Sequence, residues 1–115
     1  MTVTILHNPR CSKSRATLNM LRGKDIEPEI IDYIENPPTA EEFREILAKL
    51  DLSPRDLLRK GEKIYKQLEL SDSALSDTAL ITAMVGNPIL IERPIVVNGD
   101  KAALGRPPEN VLEIL

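Results

Sequence analysis

The chain has 115 residues, 42% of them hydrophobic and 29% charged, with a formal net charge of −3; this length and balance suit one folded domain with its own core. Aromatic residues at 3% leave no stacking platform for single-stranded nucleic acid, and the acidic balance argues against a duplex-binding surface. No apolar run approaches the ~18 residues that cross a bilayer, and one cysteine with one histidine excludes an internal disulfide and any Cys/His metal cluster.

Val3 to Leu6 reads as a short buried strand, broken by Asn8-Pro9. The next segment, Ser12 to Arg22, gathers Thr17, Leu18, Met20 and Leu21 on one face, which predicts an amphipathic helix ended by Gly23. Glu29 to Tyr33, carrying Ile30 and Ile31, reads as a second strand and completes a βαβ unit. After the stop at Asn36-Pro37-Pro38, Thr39 and Glu42 have the spacing of a capping box. Phe43, Ile46, Leu47 and Leu50 then follow at helical intervals. Ser53-Pro54 predicts another helix start, with Leu57 and Leu58 as apolar residues and Arg59-Lys60-Gly61 as its end. Ser76 opens a third helical stretch through Leu80, Ile81, Met84 and Val85 to Gly86. From Ile95 the period becomes that of strands: Ile95 to Val97 and Lys101 to Leu104 flank Asn98-Gly99, a type I′ hairpin signal. Gly105-Arg106-Pro107-Pro108 is a loop, and Glu109 to Leu115 a short helix with Val111, Leu112 and Leu115 inward. The order βαβ, helices, ββα predicts an α/β fold: a small four-stranded mixed sheet flanked by helices, spanning residues 1–115 as one domain. Met1-Thr2-Val3-Thr4 has neither a basic start nor a signal-peptide core, so a cytoplasmic, reducing location is expected.

Cys11 is the residue that asks for an explanation. Lone cysteines are ordinarily small, buried and inert, but Pro9, Arg10, Ser12, Lys13 and Ser14 are wrong neighbours for a core position. Cys11 falls where strand gives way to helix, among His7, Arg10, Lys13 and Arg15. A thiol there tends to ionise, and the thiolate is the nucleophile. First-turn N–H groups, Arg10, Arg15 and His7 are the expected sources of that stabilisation. The same helix start, with the hydroxyls of Ser12 and Ser14, suits a small oxyanion that the sulfur can attack. The low-molecular-weight phosphatase pattern fails, because its arginine position is Thr17. Arg59, Arg93 and Arg106 each stand beside a structural break, and their planar forks suit a tetrahedral oxyanion. With no second cysteine, an outside thiol must resolve any covalent intermediate on Cys11.

Several motifs now stand together: His7-Asn8-Pro9 to Cys11 with Ser14-Arg15, Glu35-Asn36-Pro37-Pro38, Leu57-Leu58-Arg59-Lys60, Asn87 to Ile91 leading to Arg93-Pro94-Ile95-Val96-Val97, and Gly105-Arg106-Pro107. As an ordered set this resembles the glutaredoxin-dependent arsenate reductases, the ArsC family. The variant Cys11-Ser12-Lys13-Ser14 and the short run beyond Gly105-Arg106-Pro107 are similar to a shorter subgroup of that family. The resemblance implies a single thioredoxin-like domain over 1–115 with a helical insertion at about 37–88. It implies Cys11 as nucleophile, His7 as the group promoting the thiolate and Ser14 as a hydrogen-bond donor to the sulfur. Arg59, Arg93 and Arg106, with Ser12, would bind arsenate, and Pro94 would be a cis proline facing the loop. The implied activity is arsenate reduction to arsenite in arsenic detoxification, with glutathione as co-substrate, glutaredoxin as partner, and no bound cofactor or metal. Two other readings fit the same motifs. One is an Spx-like redox-linked transcription regulator, disfavoured because Ser14 replaces the second cysteine of a Cys-x-x-Cys switch. The other is a glutathione-dependent thiol oxidoreductase with a different substrate.

Overall fold

The computed structural model describes residues 3–115, so the reading of Met1-Thr2 lies outside the described residues. The chain forms two compact units: the stretch ending at Asn36 together with Arg93–Leu115, and Pro37–Glu92 between them in sequence.

The first unit holds the sheet. Strand β1 (Val3–His7), helix α1 (Ser12–Gly23) and strand β2 (Glu29–Asp32) are followed, after the intervening unit, by β3 (Ile95–Asn98), β4 (Lys101–Leu104) and a 3-10 segment at Pro108–Ile114. The strand order is β2-β1-β3-β4. β1 runs parallel to β2, pairing Leu6 with Ile31, and antiparallel to β3, pairing Ile5 with Val96. The mixed sheet with its helices is what the order of elements predicts, and it is the thioredoxin-like fold that the resemblance implies. Val3, Ile5, Leu18, Leu21, Val96 and Val111 form the buried cluster of the unit. Each such side chain contributes roughly 1.5–3 kcal/mol on leaving water, so the sheet and α1 make a firm base for the loop between β1 and α1.

Three local expectations change. First, α1 runs through Gly23, and Asp25 takes the left-handed conformation with φ 60°. Ile26 N–H donates to Leu21 O and Asp25 N–H to Arg22 O, a Schellman ending whose following residue, Ile26, packs on the core. Second, Asn98 pairs with Lys101, so the hairpin turn is Gly99-Asp100. Only Gly99 has positive φ, at 64°, which is the type II′ pattern and not type I′. Third, the C-terminal segment is 3-10 and buries Val111, while Leu112 and Leu115 stay exposed. Ile30 is likewise exposed at 42%, because β2 is a sheet edge.

The second unit contains α2 (Ala40–Leu50), α3 (Lys63–Gln67) and α4 (Asp77–Gly86). The capping box is present: Thr39 Oγ1 accepts from Glu42 N–H at 3.1 Å, and Glu42 Oε1 accepts from Thr39 N–H at 2.9 Å. Ser76 Oγ accepts from Ala79 N–H at the start of α4. The helix expected from Ser53-Pro54 is only a 3-10 turn, Pro54–Leu57. Leu58 forms an isolated antiparallel bridge with Ile91 instead. Around it Arg59 N–H donates to Leu90 O at 2.7 Å and Glu92 N–H to Leu57 O at 2.8 Å. Long-range pairing thus overrides the local helix signal and leaves Arg59 on an extended segment. The second unit runs to Glu92. Among the described residues no helix is long and apolar enough to cross a membrane.

Candidate active site

The turn between β1 and α1 is built by Asn8. Its carbonyl accepts from Cys11 N–H at 3.0 Å, and its side-chain Oδ1 accepts from Arg10 N–H at 3.0 Å. These bonds leave Cys11 as the N-cap of α1, extended at φ −95° and ψ 124°, with its own carbonyl accepting the first helical bond from Arg15. No acidic residue lies in the first turn. The sulfur therefore stands at the positive end of a helix with nothing local to oppose a negative charge.

Cys11 is partly exposed, as a nucleophile must be. Burial raises its pKa, but the N–H groups of Ser14 and Lys13 and the Arg93 guanidinium outweigh that and bring the thiol down to about 7. The first-turn N–H groups act as the sequence predicts. The cation does not come from the loop. Arg15 Nη1 donates to Pro9 O at 3.0 Å, Arg10 is exposed, and Arg93, which precedes β3, supplies the charge.

His7 and Ser14 take positions different from those implied by the resemblance. His7 is 7% exposed, and its pKa is lowered chiefly by burial, so it is neutral at neutral pH and brings no positive charge to the thiolate. Its Nδ1 lies 2.6 Å from Ser14 Oγ. Ser14 Oγ also accepts from Asn8 N–H at 3.0 Å. The Ser14 hydroxyl is thus engaged on the strand side of the turn, and it is the backbone N–H of Ser14 that favours the thiolate. Ser12 is exposed at the first helical position.

Arg93 has buried Nε and Nη1 groups with no hydrogen-bond partner, while its guanidinium also lies against Cys11 and Tyr33. Uncompensated guanidinium N–H groups beside a nucleophilic sulfur are suited to an incoming oxyanion. Arg106 is tied to the same place, its Nε donating to Arg93 O at 2.9 Å. Both Arg93-Pro94 and Arg106-Pro107 are cis. Pro94 is buried, and Gly105 N–H donates to Pro94 O at 2.9 Å. Cys11, Arg93, Pro94 and Arg106 are therefore all in the first unit. Arg59 belongs to the second, where its Nε donates to Glu62 Oε2 at 3.1 Å and its Nη1 to Glu92 Oε1 at 3.4 Å.

Sequence reasoning missed four contributors. Tyr33, only 1% exposed, backs Arg93, and Asn8 shapes the turn. Glu62 and Glu92 hold Arg59. A tyrosine at a strand end in a chain with so few aromatics was the one available signal. No group of three or more His, Cys, Asp or Glu among the described residues has a metal-holding arrangement.

Comparison with known proteins gives the same frame. An arsenate reductase of Haemophilus influenzae is 47% identical over the whole of both chains. A protein of Escherichia coli K12 called YfgD is 56% identical, covering 98% of this chain and 96% of its own. The solved structure of an arsenate reductase from Vibrio cholerae superposes with a TM-score of 0.97 at 52% identity, covering 100% of this chain and 98% of that one. The pattern of the ArsC family matches residues 6–114, and the chain belongs to the ArsC family.

Proposed function

We propose that the protein is an arsenate reductase in which Cys11 is the nucleophile. The observation that carries this reading is a thiol brought down to about 7 beside the partnerless Nε and Nη1 of Arg93. The arsenate reductases of similar sequence support the choice of arsenate as the oxyanion. The Cys11 thiolate attacks arsenic(V), an S–As bond forms, and one arsenate oxygen leaves as water after protonation. Arg93 and Arg106 stabilise the charged adduct. His7 and Ser14 hold the turn that aims the sulfur.

The chain has one cysteine, so the electrons come from outside. Glutathione attacks the adduct and displaces a second oxygen as water. The glutaredoxin thiol then attacks the glutathione sulfur. A glutathione–glutaredoxin disulfide forms, the electron pair of the breaking S–As bond stays on arsenic, and arsenic(III) is left on Cys11. Hydrolysis releases arsenite and restores the thiol. A reducing compartment such as the cytoplasm supplies both thiols.

The test is a coupled assay following NADPH oxidation with arsenate, glutathione, glutathione reductase and glutaredoxin. Turnover that requires all the added thiol components and vanishes in Cys11→Ser is expected. Turnover of a glutathione mixed disulfide without arsenate turnover would assign the site to thiol oxidoreduction instead.

A further inference from the structure

Arg93 and Tyr33 come to the Cys11 loop from opposite sides of β1. The register of β1 with β2 ends at His7–Asp32, and that of β1 with β3 at Leu6–Ile95. One step further on the β2 side and two on the β3 side, both registers arrive at Asn8. Tyr33 stands level with Asn8 on one flank and Arg93 on the other. Two strand spacings, roughly 10 Å, separate the two backbones, a gap that a tyrosine and an arginine side chain can close. All these residues belong to the first unit.

The side chains do meet. Tyr33 is 1% exposed, and its hydroxyl lies against the Arg93 guanidinium, which lies in turn against Cys11. A guanidinium only donates, so Tyr33 Oη is the acceptor of the pair. Nε and Nη1 of Arg93 are buried and without a partner, which leaves Nη2 as the nitrogen that serves Tyr33. An arginine has many rotamers, and unsatisfied buried N–H groups favour those that reach water. A fixed acceptor at one nitrogen opposes that escape.

We propose that Tyr33 is a positioning residue: its hydroxyl, accepting from Nη2, holds the Arg93 guanidinium against Cys11 and keeps Nε and Nη1 for the oxyanion. This deepens the arsenate reading and rests on Arg93 being an oxyanion ligand. One hydroxyl behind the site thereby sets both the acidity of the thiol and the affinity for the anion, acting through Arg93 in each case.

Tyr33→Phe removes only the hydroxyl. The pH midpoint of Cys11 alkylation is expected to rise by about half a unit, a roughly threefold fall in the thiolate-to-thiol ratio. Arsenate affinity, measured by titration calorimetry on Cys11→Ser protein, is expected to weaken by about the same factor. In an Arg93→Ala background Tyr33→Phe should leave the alkylation midpoint where it is. A midpoint that stays or falls in Tyr33→Phe, an unchanged arsenate affinity, or an equal rise without Arg93 would overturn the proposal. A second readout keeps Tyr33 in place. The chain has two tyrosines and no tryptophan, so in Tyr65→Phe protein the tyrosine absorbance band is that of Tyr33 alone. Arg93→Ala is expected to shift that band, because the phenol loses its donor; an unmoved band overturns the proposal as well. Failure of the arsenate reading shows separately, as absent NADPH-coupled turnover by the unaltered protein, whereas the alkylation profile needs no arsenate.

Discussion

His7 Nδ1 and Ser14 Oγ lie 2.6 Å apart and join the end of β1 to the first turn of α1. Ser14 is fully buried, and its hydroxyl also accepts from Asn8 N–H. Ser14→Ala strands a ring nitrogen and a backbone N–H away from water, which costs about 1–3 kcal/mol. A lowered urea midpoint is expected. The backbone N–H of residue 14 survives the change, so the Cys11 titration should move less than it does when Arg93 is removed.

The thiol itself gives the second prediction. With its pKa lowered to about 7, alkylation of Cys11 by iodoacetamide should rise through a midpoint near pH 7. An ordinary thiol would show that midpoint at about 8.5. Arg93→Ala removes the guanidinium that favours the charged form, so the midpoint should move up. The sign for stability follows. The folded thiol is more acidic than the unfolded one, so the thiolate's contribution is present above the ordinary thiol range and is lost as pH falls through about 7. A midpoint that stays in place in Arg93→Ala would remove Arg93 from the account of thiol activation.

Gly105 gives a steric prediction. A Cβ there would lie 2.7 Å from Thr17 Oγ1 and 2.8 Å from Pro94 Cγ. Thr17 is held in turn by its bond to Lys13 O, at 2.9 Å. Gly105→Ala must therefore push the Pro94 ring and α1 apart, at a cost of about 1–3 kcal/mol. Adding Thr17→Ala should not restore stability, because the proline ring remains. Thermal denaturation of the single and double variants checks this.

These outcomes also mark how far the sequence could be read. The nucleophile, the capping box at Thr39 and Glu42, and the strand-helix-strand opening depend on neighbours within a few residues, and the sequence displays them directly. The source of the cation does not. Arg10 and Arg15 are closest to Cys11 in sequence, but one is exposed and the other bonds Pro9 O, while Arg93 arrives through β3 pairing with β1. Arg59 shows the same limit. Its partner Glu92 is 33 residues away, and only the Leu58–Ile91 bridge brings them together. His7 looks like a cation in sequence and is a neutral partner of Ser14 in the fold, because burial lowers its pKa.

The last prediction concerns Asp25, away from the site. Its φ of 60° is left-handed, where a residue with a Cβ is disfavoured. The Schellman bonds at Leu21 and Arg22 require that conformation at this position, and they involve only backbone atoms. An aspartate there also sets a negative charge at the negative end of α1, an unfavourable placement. Asp25→Gly removes both costs and keeps both bonds, while the greater freedom of glycine in the unfolded chain offsets part of the gain. A net stabilisation of up to about 1 kcal/mol is expected, read as a higher urea midpoint with an unchanged slope and an unchanged Cys11 alkylation profile. Asp25→Ala should fall below the parent, because it keeps the Cβ and loses the tolerance of aspartate for this conformation. The opposite ranking would mean that the helix ending is held by its charge and not by its backbone geometry.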